Sequence, residues 1–301
     1  MLGRLHLRPS LTLVAVAVVA LGGCAKPTQT ACPDDAASAP APAEAPSRPG
    51  LSATVYNATA AEYRAATLQA FAVAKVALDA ALADGMWSAA PEQQGDVRDL
   101  PPAVILDVDE TVLDNSPYQA WLAKVGGRFE PATWSAWVEA REAPAIPGAV
   151  DFTRYAASKG VTVFYVSNRD VSGEAATRDN LAAHGFPLAD GDVDVVLLKN
   201  EREDWGSAKG TRRAAVAAGF RVVMLVGDNL GDFTDSSEGS MDQRGAIVEH
   251  HGDWWGSRWI MIPNPMYGGW EKAALGGAKP ATPREFEEAL LSPALTWDGP
   301  G

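Results

Sequence analysis

The chain has 301 residues, 47% of them hydrophobic, enough to bury the core of one large domain or of a core with a small cap. Its formal net charge of −13 excludes non-specific nucleic-acid binding, which needs a basic surface, and an anionic substrate would require a local Lys, Arg or metal cation. The only two cysteines, Cys24 and Cys32, lie near the N-terminus, so the folded part has no disulfide, thiolate nucleophile or Cys metal site.

The first segment reads as a targeting signal. Arg4 and Arg8 precede an apolar run at 11–21, too short for the roughly 20 residues that span a bilayer. It ends in Leu21-Gly22-Gly23-Cys24, small residues before a cysteine as in a bacterial lipobox. The expected layout is a lipoprotein signal peptide at 1–23, lipidation of Cys24 and an Ala/Pro/Ser-rich tether at 24–52 that cannot bury a core. A folded domain at 53–292 and a tail at 293–301 complete it. Such a protein is exported and held at the cell membrane or outer membrane, facing the periplasm or exterior. Ala25, rather than Asp, follows the cysteine, which suits the outer membrane where one exists.

Order is expected from Ala53. Residues 59–82 read as a long helix closing at Gly85, with Thr59 and Glu62 spaced as a capping box. After a loop at 91–102, strands are predicted at 103–107, 161–167, 193–198 and 221–227, with a further one at 258–262. Helices are predicted at 134–143, 148–158, 173–184 and 209–218. Runs of Val, Ile and Leu without polar alternation imply strands covered on both faces, and strands alternating with helices imply a parallel sheet. The fold class is α/β, a doubly wound parallel sheet.

Ligands in such sheets bind at the C-terminal ends of the strands. Asp107-Val108-Asp109 follows the first strand, Ser167-Asn168-Arg169 ends the second, and Gly227-Asp228-Asn229 with Gly231-Asp232 follows the fourth; Lys209 opens the preceding helix. Carboxylates gathered at one edge repel unless a cation sits among them, and hard oxygen donors without His or Cys favour Mg²⁺. One Asp can attack phosphorus while another, two residues on, exchanges protons with the leaving oxygen and water. Histidine and serine chemistry find no support. His6 lies in the leader, His184 at a helix C-terminus and His250 and His251 in a Trp-rich loop, and neither Arg-His-Gly nor Gly-x-Ser-x-Gly occurs.

DVDETVLDNSPY, FYVSNR, Lys209 and VGDNLGDF together resemble the class C bacterial acid phosphatases, lipoproteins of the haloacid dehalogenase superfamily in its four-aspartate group. The resemblance covers roughly residues 55–290 and implies a Rossmannoid sheet with a small, mostly helical cap. By the same resemblance Asp107 is nucleophile and metal ligand, and Asp109 is general acid/base and gives its main-chain carbonyl to the metal. Asp228 is the third protein ligand, and Asp232 an outer acid. Ser167, Asn168 and Lys209 bind the phosphate. Lys199, at a strand end, rivals Lys209, and the segment between them looks longer than the family usually has. Tyr267, in IPNPMYGGWE, and Phe129, in GGRFEPATW, are the candidate faces for stacking a nucleobase, against the alternative of ordinary core or cap packing.

The expected activity is a Mg²⁺-dependent acid phosphomonoesterase acting on small phosphate esters, nucleoside 5′-monophosphates among them, through an aspartyl-phosphate, with an acidic optimum because Asp109 must carry a proton. Expected partners are the ester, the membrane through Cys24 and, as candidate assembly, a second copy; no nucleic-acid polymer is expected. The competing readings are an inactive lipoprotein that binds a phosphorylated ligand, and a phosphoacceptor resembling receiver domains.

Overall fold

The computed structural model describes residues 50–299 apart from 190, 192, 295 and 298. The leader, Cys24 and nearly all of the tether lie outside these residues. Gly50, in a left-handed conformation, leads into α1 (Leu51–Thr59), two residues earlier than expected. The helix predicted at 59–82 is α2 (Ala61–Ala83), which starts two residues late; α1 is a separate helix ahead of it, and the extended backbone at Ala60 divides the two. The Thr59–Glu62 capping box is absent, because Thr59 is the last residue of α1, its hydroxyl donating back to the Val55 carbonyl at 2.7 Å, and the N-cap of α2 is Ala60, whose side chain cannot cap. By length and composition α2 could cross a membrane. Its apolar stripe, Phe71, Ala74, Leu78 and Ala81, is instead buried, and the helix packs on the sheet and on α5.

Next come β1 (Pro102–Leu106), then α3 (Ser116–Val125) and α4 (Pro131–Ala140), a helical insertion before α5 (Ala149–Ser158). The α4 helix runs three residues ahead of its predicted span: Pro131 fits its first turn and Arg141, with φ of 58°, ends it. The next elements are β2 (Thr162–Asp170), α6 (Glu174–His184), β3 (Val196–Lys199), α7 (Gly210–Ala217) and β4 (Arg221–Gly227). The β3 strand starts late because the Asp194 carboxylate accepts the N–H of Val196 in a turn. Then follow α8 (Met241–His250), β5 (Trp259–Met261), α9 (Gly269–Ala274) and α10 (Pro283–Leu291).

All strand pairs are parallel and the order is β3-β2-β1-β4-β5. Chain direction across the sheet therefore reverses beside β1, between β1 and β4. That is where such sheets open a crevice at their C-terminal ends. β1 is apolar, and β4, apolar after Arg221, is buried along its whole length. The fold thus carries the loops leaving β1 and β4 to one protected edge.

Candidate active site

Asp107 is held where the sheet stops. Its N–H still donates to the carbonyl of Val226 on β4, at 3.0 Å. The chain then winds tightly: the Val108 carbonyl accepts the N–H groups of Val112 and Leu113, and Glu110 sits at φ of 59°. Opposite, Asp228 follows β4, and Asn229 and Asp232 cap each other in the next turn. Lys209, at the start of α7, reaches both loops. Its Nζ donates to Asp107 Oδ1 and, at 2.6 Å, to Asp232 Oδ1. Lys199 ends β3 as the register partner of Asp170, away from this cluster.

Asp107, Asp228 and Asp232 each place a carboxylate oxygen within 4.8 Å of the others. Crowding has electrostatic consequences. Burial pushes the Asp107 carboxyl up to about 7, with Lys209 opposing and Asp232 and Asp109 reinforcing. Asp228 is raised well above its ordinary value by burial, then by Asp232 and Asp107. For Lys209, burial works against the charge, but Asp107 and Asp232 outweigh it and raise the ammonium. Three acids with one lysine leave excess negative charge, so this all-oxygen donor set fits a hard divalent cation.

The Asp109 carboxylate turns aside from that trio. Its Oδ1 accepts Arg169 Nη2 at 2.8 Å, Arg169 Nε at 3.0 Å and Asn115 Nδ2 at 2.9 Å, and Oδ2 accepts the Ser167 hydroxyl at 3.3 Å. Asn115 also binds the buried Glu110 carboxylate through its main-chain N–H, at 2.7 Å, and accepts the indole N–H of Trp137. Burial, then Asp109 and Asp228, raise Glu110 well above the usual carboxylate range. Asn168 is exposed, its Nδ2 on the Ser207 carbonyl and its Oδ1 on Arg212.

Asp107, Asp109, Asn168, Lys209, Asp228 and Asp232 line a cavity of about 1190 Å³ that Tyr267 and Phe129 also line, whereas Ser167 is fully buried outside that lining. The two rings do not touch each other; Phe129 lies 6.1 Å from Trp134, centroid to centroid. His184 rests on the Ala143 carbonyl, His251 packs against Trp254 and Trp259, and His250 packs against His251, all outside the cavity lining. Sequence reasoning gave no role to Asn115, Arg169, Arg212 or Asn264, whose Nδ2 donates to Asp228 Oδ2 at 2.8 Å. Asn115 lies inside DVDETVLDNSPY and Arg169 inside FYVSNR, and Asn264 stands three residues ahead of the Tyr267 ring.

A sequence model of a family described as HAD superfamily, subfamily IIIB (acid phosphatase), matches residues 39–270. The fold is similar to that of the class C acid phosphatase from Bacillus anthracis, with a TM-score of 0.71 and 34% identity, covering 83% of this chain and 98% of that one. A crystal structure of that enzyme with tungstate bound matches with the same TM-score of 0.71. Acid phosphatase 1 of Solanum lycopersicum is 30% identical over 168 residues, and a stem 31 kDa glycoprotein of Glycine max is 27% identical over 165. The matched stretch is 54% of this chain and spans a little over half of those two proteins, 57% and 58%.

Proposed function

The chain belongs to subfamily IIIB of the haloacid dehalogenase superfamily, the acid phosphatases, and from that membership we propose that it hydrolyses small phosphate monoesters by way of an aspartyl-phosphate on Asp107. The observation that carries this reading is Lys209, buried between Asp107 and Asp232 at the point where the sheet reverses direction. A carboxylate nucleophile and a fixed cation there offer an incoming phosphate both an attacker and a counter-charge.

The steps belong to side chains at one edge. Asn168 and Lys209 orient the phosphate, and the Ser167 hydroxyl would join them only by turning away from Asp109. An Asp107 oxygen attacks phosphorus as the P–O bond to the leaving group breaks, and Asp109 gives its proton to the departing oxygen. Asp109 then takes a proton from the water that attacks the aspartyl-phosphate, which frees inorganic phosphate and restores Asp107. Arg169, Asn115 and Ser167 all donate to Asp109, which fixes the direction in which it presents its oxygens. Mg²⁺ would be held by Asp107, Asp228 and the Asp109 main-chain carbonyl, with Asp232 behind, and would supply neutralisation of these acids and of the phosphate oxygens. The first step needs protonated Asp109, which sets an acidic optimum.

The leaving group would lie between Tyr267 and Phe129, and nucleoside 5′-monophosphates suit two separated aromatic faces on one cavity, at about 1–3 kcal/mol per stacked base. Tungstate in the Bacillus anthracis relative is a tetrahedral oxyanion, as phosphate is. The full layout we propose is an exported lipoprotein: a leader at 1–23, a lipid on Cys24, a tether running to α1 and this domain to residue 292, with a homodimer as its assembly.

Hydrolysis of a nucleoside 5′-monophosphate and of a generic aryl phosphate, with and without EDTA, tests the activity. Both esters should be cleaved, the nucleotide with the lower KM, and chelation should stop both. Cleavage that persists undiminished after all metal is removed would refute the proposal.

A further inference from the structure

Arg212 lies three residues after Lys209, on the first turn of α7, and is fully buried. Its guanidinium donates to four oxygens on two separate segments. One pair belongs to the end of β2: the Ser167 main-chain carbonyl and, at 2.7 Å, Asn168 Oδ1. The other pair belongs to the approach to Lys209: the Gly206 carbonyl at 2.8 Å and the Ala208 carbonyl at 3.3 Å. Between them Ser207 closes the circuit by accepting Asn168 Nδ2 at 2.9 Å.

We infer that Arg212 is the positioning residue that assembles the phosphate cradle, by fastening Ser167 and Asn168 to the Lys209 loop and by fixing which way the Asn168 amide faces. This rests on the phosphatase reading of the same edge. A guanidinium can only donate, so Asn168 must turn its oxygen toward Arg212; the Ser207 carbonyl can only accept, so the amide nitrogen must face it. Both neighbours dictate the same orientation. With one N–H spent on Ser207, the other remains for the cavity that Asn168 lines, so an anion meets a donor rather than a carbonyl.

The position of the charge supports this role. Among the described residues no carboxylate forms an ion pair with Arg212, although Arg213 beside it pairs with Glu92 and Asp235. Burial lowers the Arg212 guanidinium to about 10, with Asp107 acting in the opposite direction. Arg212 thus remains a cation, balanced by backbone dipoles and directed at the nucleophile's neighbourhood. The arrangement also accounts for the long segment before Lys209. Trp205, almost fully buried, anchors that segment, and Arg212 binds it just beyond. Lysine cannot substitute, since an ammonium carries one donor centre where the fork spans four acceptors.

Inorganic phosphate and tungstate are the probes, titrated calorimetrically into the Mg²⁺-loaded full chain and its Arg212→Lys variant. Phosphate affinity should fall about tenfold or more, and KM for an aryl phosphate should rise by a similar factor. Mg²⁺ affinity should stay within about twofold, because Arg212 touches none of the clustered acids. Should Arg212→Lys fail to fold, Asn168→Ala carries the test, since that side chain is exposed. It should weaken phosphate about fivefold without moving Mg²⁺ affinity, and where both variants fold their losses should not multiply. Phosphate affinity unchanged in the variant tested, or Mg²⁺ affinity falling in step with it, overturns the inference and leaves the phosphatase reading standing. A wild-type chain that binds neither oxyanion overturns both.

Discussion

Asp107 and Asp109 are separated by one residue, yet the surrounding side chains treat them differently. Asp107 shares Lys209 with Asp232 and is crowded by acids, whereas Asp109 is surrounded by donors from Arg169, Asn115 and Ser167. Such a division suits one attacking group and one proton carrier, since a pair of equivalent acids would compete for the same neighbours. Asp107→Asn keeps the shape and removes the nucleophile. Turnover of an aryl phosphate should drop at least about 10³-fold, with circular dichroism unchanged. A variant retaining most of its activity would move the nucleophile elsewhere. At this scale the sequence was legible wherever chemistry and position coincided: the aspartates and Lys209 are charged residues at strand or helix ends. Glu110 and Asn115 sit in the same stretch as the first two aspartates. That they bond each other, however, depends on the left-handed turn at Glu110, which nothing in its residue type announces.

Among the elements, β2 explains why Arg169 went without a role. The strand was expected to stop at Ser167, but it continues to Asp170, and alternation then puts Ser167 and Arg169 on one buried side and Asn168 and Asp170 on the exposed one. A predicted strand three residues longer would have turned Arg169 toward Asp109. Helix starts show a related limit. The Thr-x-x-Glu spacing at Thr59 is empty, while the same chemistry at Ser240 with Gln243 and at Thr282 with Glu285 does cap α8 and α10, both missed. Spacing alone does not reveal that Thr59 closes a helix of its own and leaves Ala60 as the N-cap of α2. The end of β4 offers a test of close approach. A Cβ on Gly227 would stand 2.3 Å from Asp232 Oδ2 and 2.4 Å from Asp232 Cβ, so Gly227→Ala must displace the Asp232 turn and with it a partner of Lys209. Stability should fall by about 1–3 kcal/mol in urea unfolding, and kcat/KM should fall too. Gly219→Ala, where a Cβ meets nothing within 4 Å, should stay within about 0.5 kcal/mol. Equal behaviour of the two variants would mean that the Asp232 turn is not pinned by the strand.

Over the whole molecule, the charge of −13 makes the clustered acids a burden that depends on pH. Unfolded carboxyls titrate near 4, whereas folded Asp107 titrates at about 7 and Asp228 well above its ordinary value. Between those limits the folded state holds more protons than the unfolded one, so the cluster's contribution to stability is present at acidic pH and is lost as pH rises toward neutrality. A divalent cation favours the deprotonated acids and should restore most at the neutral end. Glu110 is raised as well, but its carboxylate is bonded to Asn115, so its share of the loss should persist with metal present. Thermal melts with Mg²⁺ and with EDTA, at pH 5 and pH 7.5, should therefore show a metal-dependent gain that is larger at pH 7.5. Asp228→Asn should shrink that gain and flatten its pH dependence, because the amide neither titrates nor offers the same ligand charge. A gain equal at both pH values would mean that the cation binds somewhere other than these acids. The carboxylates at the reversal of the sheet would then need another explanation for their crowding.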